Sequence, residues 1–162
     1  MQNTNASRLW PDSALPTSEA GFSASRPAAT AALTRGVARL FEELGLAVLP
    51  EFHLPDGRRA DLAGLSPKGR LVFAEVKSCQ ADFDADDKWP AYLSYCDAFY
   101  FAVAQDFPQN RLPEAEGLIV ADAYGGAILR DAEERPLVAA RRKAVTLRFA
   151  RQSALRAGFL SG

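Results

Sequence analysis

The run of residues 98–104, AFYFAVA, constrains the fold more than any other stretch of the chain. It is almost continuously apolar, the pattern of a β-strand covered on both faces. A sheet containing such a strand needs a layer of structure on each side. Two helical patterns can supply those layers. Thr30 is a good N-cap, and Leu33, Val37, Leu40, Phe41 and Leu44 follow at i, i+4, i+7, i+8 and i+11, one apolar helix face. Gly45 ends that helix as its C′ residue. The stretch 138–157 is the second helix. Between them, residues 47–54 read as a strand, Pro55-Asp56-Gly57 as a hairpin turn, 59–65 as a strand, Ser66-Pro67-Lys68-Gly69 as a turn and 71–77 as a third strand. An acidic loop, 78–87, precedes a short helix over 88–96, with Asp86 or Asp87 as N-cap and Pro90 in the first turn. Further strands are expected at 117–121 and, after Gly125-Gly126, at 127–129. The order predicts an α/β fold, a mixed central sheet flanked by helices.

Composition sets the frame. Of 162 residues 48% are hydrophobic and 24% charged, which excludes disorder along the whole length and suits one domain with its own core. Residues 1–29, rich in Ser, Ala, Asn, Thr and Pro, read as a disordered tail, and 30–160 as the domain. Trp10 and Phe22 are aromatic residues of the tail for which the sequence marks no docking place. Two cysteines, Cys79 and Cys96, exclude a disulfide scaffold and are expected as reduced thiols. No apolar run is long enough for a membrane span, and the N-terminus lacks the apolar core of a signal peptide, so a soluble cytoplasmic protein is expected.

The net charge of −1 conceals a split. From Arg135 onward there are seven basic residues and no acid, which leaves 12 basic and 20 acidic residues, a balance of −8, in 1–134. The basic end is compatible with a local nucleic-acid footprint, whereas a pI near 5.9 argues against indiscriminate coating of DNA.

The two strands around the Pro67 turn carry the chemistry. Alternation puts Leu71, Phe73, Glu75 and Lys77 on one face, as in a strand that leaves the core and enters a cleft. The turn decides whether Asp61 joins them. A two-residue loop at Pro67-Lys68 would set Asp61 opposite Ala74. A three-residue loop, with Pro67 at the first turn position and Gly69 in the left-handed region, pairs Ser66 with Arg70 and sets Asp61 opposite Glu75. The turn chemistry favours the second register. Two neighbouring carboxylates repel unless a cation lies between them, and a hard oxygen-liganded ion, Mg²⁺ or Mn²⁺, meets that need. Such an ion also binds phosphate oxygens and activates water, and Lys77 adds a positive charge beside it. Asp61, Glu75 and Lys77 are therefore candidate catalytic residues for phosphodiester hydrolysis, with Asp61 and Glu75 as metal ligands.

Asp61 followed at a hairpin's distance by Glu75-Val76-Lys77, after a helix and before a helix and strand, resembles the PD-(D/E)XK nuclease superfamily. The likeness extends to one family. Gly57-Arg58-Arg59-Ala60-Asp61, Glu75-Val76-Lys77-Ser78, Asp82-Phe83, Asp86, Lys88-Trp89-Pro90, Tyr95-Cys96-Asp97, Tyr100-Phe101-Ala102-Val103 and the run 117–122 look like the MmcB-like DNA-repair proteins, over about residues 30–157. The resemblance implies a restriction-endonuclease-like core and a role in bacterial DNA repair, with Asp61 and Glu75 as metal ligands and Lys77 as the catalytic lysine. Ala60 stands where the superfamily's name has Pro. The first-helix acid of many members has no assigned equivalent among Glu42, Glu43 and Glu51. A catalytically inactive DNA-binding or scaffold protein is the alternative function, and a homodimer or a repair-protein partner would suit either.

Other residues are read more plainly. Asp82, Asp84 and Asp86 mimic an EF-hand start, but Asp87 and Leu93 stand where Gly and Glu are needed, so a solvated acidic loop is expected. Trp89, Tyr92, Leu93 and Cys96 are expected in the core. His53, the single histidine, is an ordinary strand residue. Arg58, Arg59 and Lys88 beside the site, and Arg141 and Arg148 on the basic helix, are the candidate DNA contacts, with Arg156 on the same stripe as the last two and Arg142 and Arg151 on its flanks.

Overall fold

A computed structural model describes residues 25–158. The expected tail, with Trp10 and Phe22, lies outside the described residues except for its last five positions. Helix α1 spans Arg26–Glu43 with Ser25 as N-cap, so it takes in four residues that the sequence assigns to the tail. Pro27 lacks the N–H that a first turn leaves unused, and two alanines follow, so nothing delays the helix until Thr30. At its other end Gly45, at φ 78, lets its own N–H reach the Glu42 carbonyl and the Leu46 N–H reach that of Phe41. This is the paired closure of a glycine-ended helix.

Six strands follow: β1 Ala47–His53, β2 Arg59–Leu65, β3 Leu71–Lys77, β4 Ala98–Val103, β5 Gly117–Ala121 and β6 Gly126–Arg130. They form one mixed sheet in sequence order. β1, β2 and β3 are antiparallel neighbours, β3, β4 and β5 run parallel, and β6 returns antiparallel. A short helix α2, Gln80–Asp84, and a 3-10 helix, Trp89–Tyr95, make the crossover from β3 to β4. Helix α3, Ala139–Gly158, closes the described chain. The result is an α/β sheet with helices on both faces, consistent with a restriction-endonuclease-like architecture. Among the described residues no helix is long and apolar enough to cross a membrane.

β3 and β4 are buried along their whole length, and each face of the sheet has its own core. On one face, Leu33, Val37 and Phe41 of α1 pack over Leu62, Ala74 and Ile119. On the other, Phe149 of α3 and the 3-10 helix cover Phe52, Phe73, Phe99 and Phe101. The 88–96 segment is not the expected α-helix. In a 3-10 helix residues three apart eclipse, and Trp89 and Tyr92 accordingly both stack on Phe99, at 5.8 and 6.0 Å between ring centroids.

At the β2–β3 turn the longer loop forms. Gly69 has φ 84, the Ser66 N–H bonds the Arg70 carbonyl, and Leu65 pairs with Leu71 and Leu62 with Ala74. One step further along this register places Asp61 beside Glu75.

Candidate active site

The site lies where β2 begins and β3 ends. Pairing of β2 with β3 stops at Leu62 and Ala74, and the Asp61 carboxylate takes over from the ladder by accepting the Val76 N–H at 2.8 Å. Glu75 and Lys77, two residues apart on one face of β3, are 9% and 6% exposed. Lys77 Nζ lies 3.7 Å from Glu75 and 2.5 Å from Asp86. The other oxygen of Asp86 accepts the Lys88 N–H at 2.8 Å. One carboxylate thus ties down the turn before the 3-10 helix and fixes the lysine; the N-cap itself is Lys88, not the expected Asp86 or Asp87, because the helix starts only at Trp89.

β1 is distorted beside this point. Leu49 and Phe52 share one core layer, as do Ala60 and Ala63, although residues three apart on a regular strand face opposite ways. Glu51, with φ 51, lies between Pro50 and Phe52, opposite Asp61, and takes up the flip on β1. A left-handed glutamate is strained, and such strain collects at functional sites. Tyr92 secures the other side by donating its hydroxyl to the Arg59 carbonyl at 2.9 Å.

The electrostatics are those of a site short of positive charge. Burial, then the nearby Asp61 carboxylate, push the Glu75 carboxyl up to about 8 against partial relief from Lys77. Burial also raises Asp61, against its hydrogen bond from Val76 and the charge of Lys77. For Asp86 burial acts in the same direction, but the bonds from Lys77 and the backbone N–H groups outweigh it and hold the carboxyl below its usual value. Glu75 Oε2 is buried with no hydrogen-bond partner. An unsatisfied buried carboxylate oxygen beside a second, half-buried carboxylate fits a small hard cation. Among the described residues no three His, Cys, Asp or Glu side chains gather as a metal cage. Two carboxylates suit Mg²⁺ or Mn²⁺, which keep several waters, and do not suit the closed coordination of a structural zinc.

The remaining candidates are placed less uniformly. Glu42 and Glu43 are exposed at the far end of α1, and the exposed Glu51 bridges to Arg59 at 3.4 Å. Arg58 pairs with Asp56 at 2.8 Å. The Lys88 residue is exposed at the start of the 3-10 helix. Arg141 stacks over Tyr95, 4.8 Å from the ring centroid, at the other end of that helix. Arg148 is half-buried. Arg142 forks onto the buried Asp97 at 2.6 and 2.8 Å, and Arg156 donates to the Pro50 and Glu51 carbonyls. Gln152 bonds both the N–H and the carbonyl of His53, an exposed strand residue as expected. Cys79 and Cys96 are free thiols.

The acidic loop is less solvated than its composition suggests. Asp82 pairs with Arg26, Asp84 with Arg111 and Asp86 with Lys77. Asp86 is the site residue that sequence reasoning missed as a partner of Lys77. Its place just ahead of the 3-10 helix was legible, but its contact with Lys77 depends on how α2 folds the loop back.

Comparison with known proteins adds two findings. The family described as DNA repair protein MmcB-like matches residues 17–161. A solved structure, the SPO1766 protein of unknown function from Silicibacter pomeroyi, is 44% identical with a TM-score of 0.77, covering 80% of this chain and 88% of that one. No curated protein sequence matches the chain.

Proposed function

Because the chain belongs to the MmcB-like family of DNA-repair proteins, we propose that it is a metal-dependent deoxyribonuclease of the PD-(D/E)XK type that hydrolyses phosphodiester bonds during repair. The observation that carries this reading is the buried, unpartnered Glu75 Oε2 beside Asp61, with Lys77 at 3.7 Å. Asp61 and Glu75 would hold Mg²⁺ or Mn²⁺. When bound, such an ion supplies a Lewis acid for a phosphate oxygen and a water of lowered pKa.

The chain's own residues do the rest. The Asp61–Val76 hydrogen bond fixes one carboxylate against the end of β3. Asp86 holds the Lys77 ammonium beside Glu75, where it can meet negative charge developing on the phosphoryl group. Tyr92 stacks on Phe99 and donates to the Arg59 carbonyl, which ties the start of β2, next to Asp61, to the 3-10 helix and β4. Arg59 and Lys88 flank the site as phosphate contacts, with Arg58, Arg141 and Arg148 further out.

The test is cleavage of nicked, flapped, branched and single-stranded DNAs with Mg²⁺ and with Mn²⁺, by wild type and Asp61→Asn. Metal-dependent cleavage lost in Asp61→Asn supports the reading. Cation binding without cleavage of any substrate would assign a non-catalytic DNA-binding role to the same fold.

A further inference from the structure

A cleft of about 620 Å³ runs between the first half of α1 and the β1–β2 edge and ends at Asp61. We propose that this cleft seats the sugar–phosphate backbone of one strand of duplex DNA and leads it to the site. The choice of ligand rests on the nuclease reading above; the path rests on the cleft itself.

Three arginines line it: Arg26 and Arg35 from α1 and Arg59 from β2. Arg35 has no hydrogen bond or ion pair among the described residues. Arg26 reaches Asp82 at 3.3 Å with its side chain 66% exposed, and the Arg59–Glu51 pair is more than half exposed on both sides. Exposed pairs of this kind contribute little and are readily exchanged for a phosphate. Glu51 and Asp61 are the cleft's acids, one facing Arg59 and the other placed as a cation ligand. Thr30 adds a hydroxyl group, whereas that of Thr34 is donated to the Thr30 carbonyl at 2.8 Å. Arginine and threonine are the usual partners of phosphate oxygens. Among the described residues none that lines the cleft is aromatic, so these residues offer no stacking surface of the kind by which proteins hold unpaired bases. Backbone contact without base stacking fits a strand that remains paired. On α3, by contrast, Arg141, Arg142 and Arg156 are engaged by Tyr95, Asp97 and the β1 carbonyls.

Ala31 is exposed on the cleft wall and gives the cleanest test. The full-length chain is titrated against a short fluorescent duplex, and against one of its single strands, at several salt concentrations with EDTA to prevent turnover. Ala31→Glu should weaken duplex binding and Ala31→Lys should tighten it. Both residues are good helix formers, so opposite signs cannot come from unfolding. Arg26→Ala with Arg35→Ala should lower the slope of log affinity against log salt by about two, one per phosphate contact. Lys143→Glu, at the far end of α3, should do neither. If wild type cleaves DNA but the cleft variants bind it like wild type, the cleft is not the path and the nuclease reading survives. If wild type neither binds nor cleaves DNA, both fall. Tighter binding of the single strand, with the same response to Ala31, overturns the assignment to a paired strand.

Discussion

At Glu75 the usual relation between an acid and stability is reversed. Burial and the nearby Asp61 raise its carboxyl to about 8, so between 4.5 and about 8 the folded chain keeps a proton that the unfolded chain has released. Stability from this group is therefore complete below pH 4.5 and is lost as pH rises through about 8, and the raised Asp61 acts in the same sense. Glu75→Gln mimics the protonated form. Without metal it should match wild type near pH 4 and exceed it at pH 9, read from urea midpoints. Equal pH dependence in the two proteins would show that Glu75 is not confined as described. Asp61, Glu75 and Lys77 were legible as a cluster because Gly69 selects the turn and the turn selects the register. Asp86 and Glu51 were not. The contact of Asp86 depends on a nine-residue excursion from Lys77, and no composition rule marks a glutamate for a left-handed backbone.

At the scale of elements, α1 and the β5–β6 turn approach each other closely. A Cβ on Gly36 would lie 1.9 Å from the Asp122 carbonyl oxygen and 2.6 Å from that of Gly125. Both obstacles are backbone, so Gly36→Ala must push the helix off the sheet despite its better helix propensity. The expected cost is about 1–3 kcal/mol, as for other overpacked cores. Because α1 also carries Arg26 and Arg35, DNA affinity should fall with it; urea unfolding and a binding titration check the two effects. A gain in stability would contradict this packing. The apolar stripe of α1 was readable from its spacing, but its closest contact was not, since Gly36 and Asp122 are far apart in sequence. The same distance hid the duties of the basic helix. Arg142 looks like one more surface cation until Asp97, 3% exposed, is seen to accept its guanidinium together with the Leu71 and Leu137 N–H groups. Charge count overstated how many arginines are free for phosphate because their partners lie in other elements.

For the whole molecule, the split between an acidic body and a basic end is partly an internal bond. Arg135 forks onto the buried Glu116 and Arg142 onto Asp97, which tie the C-terminal segment to the sheet. What remains unbalanced is the pair of carboxylates at Asp61 and Glu75. A cation that binds only the folded chain should stabilise it by mass action, about 2.7 kcal/mol at a hundred times its dissociation constant. Millimolar Mn²⁺ or Mg²⁺ should raise the thermal midpoint of wild type and leave Asp61→Asn unmoved; an unchanged wild-type midpoint would count against a metal site. Catalysis is separated from binding most directly by Lys77→Ala, followed in single-turnover cleavage alongside a DNA-binding titration. The charge on Lys77 matters most as the transition state forms. Cleavage should therefore be abolished while most of the DNA affinity remains. Cleavage at the wild-type rate would contradict the assignment of this site to phosphodiester hydrolysis.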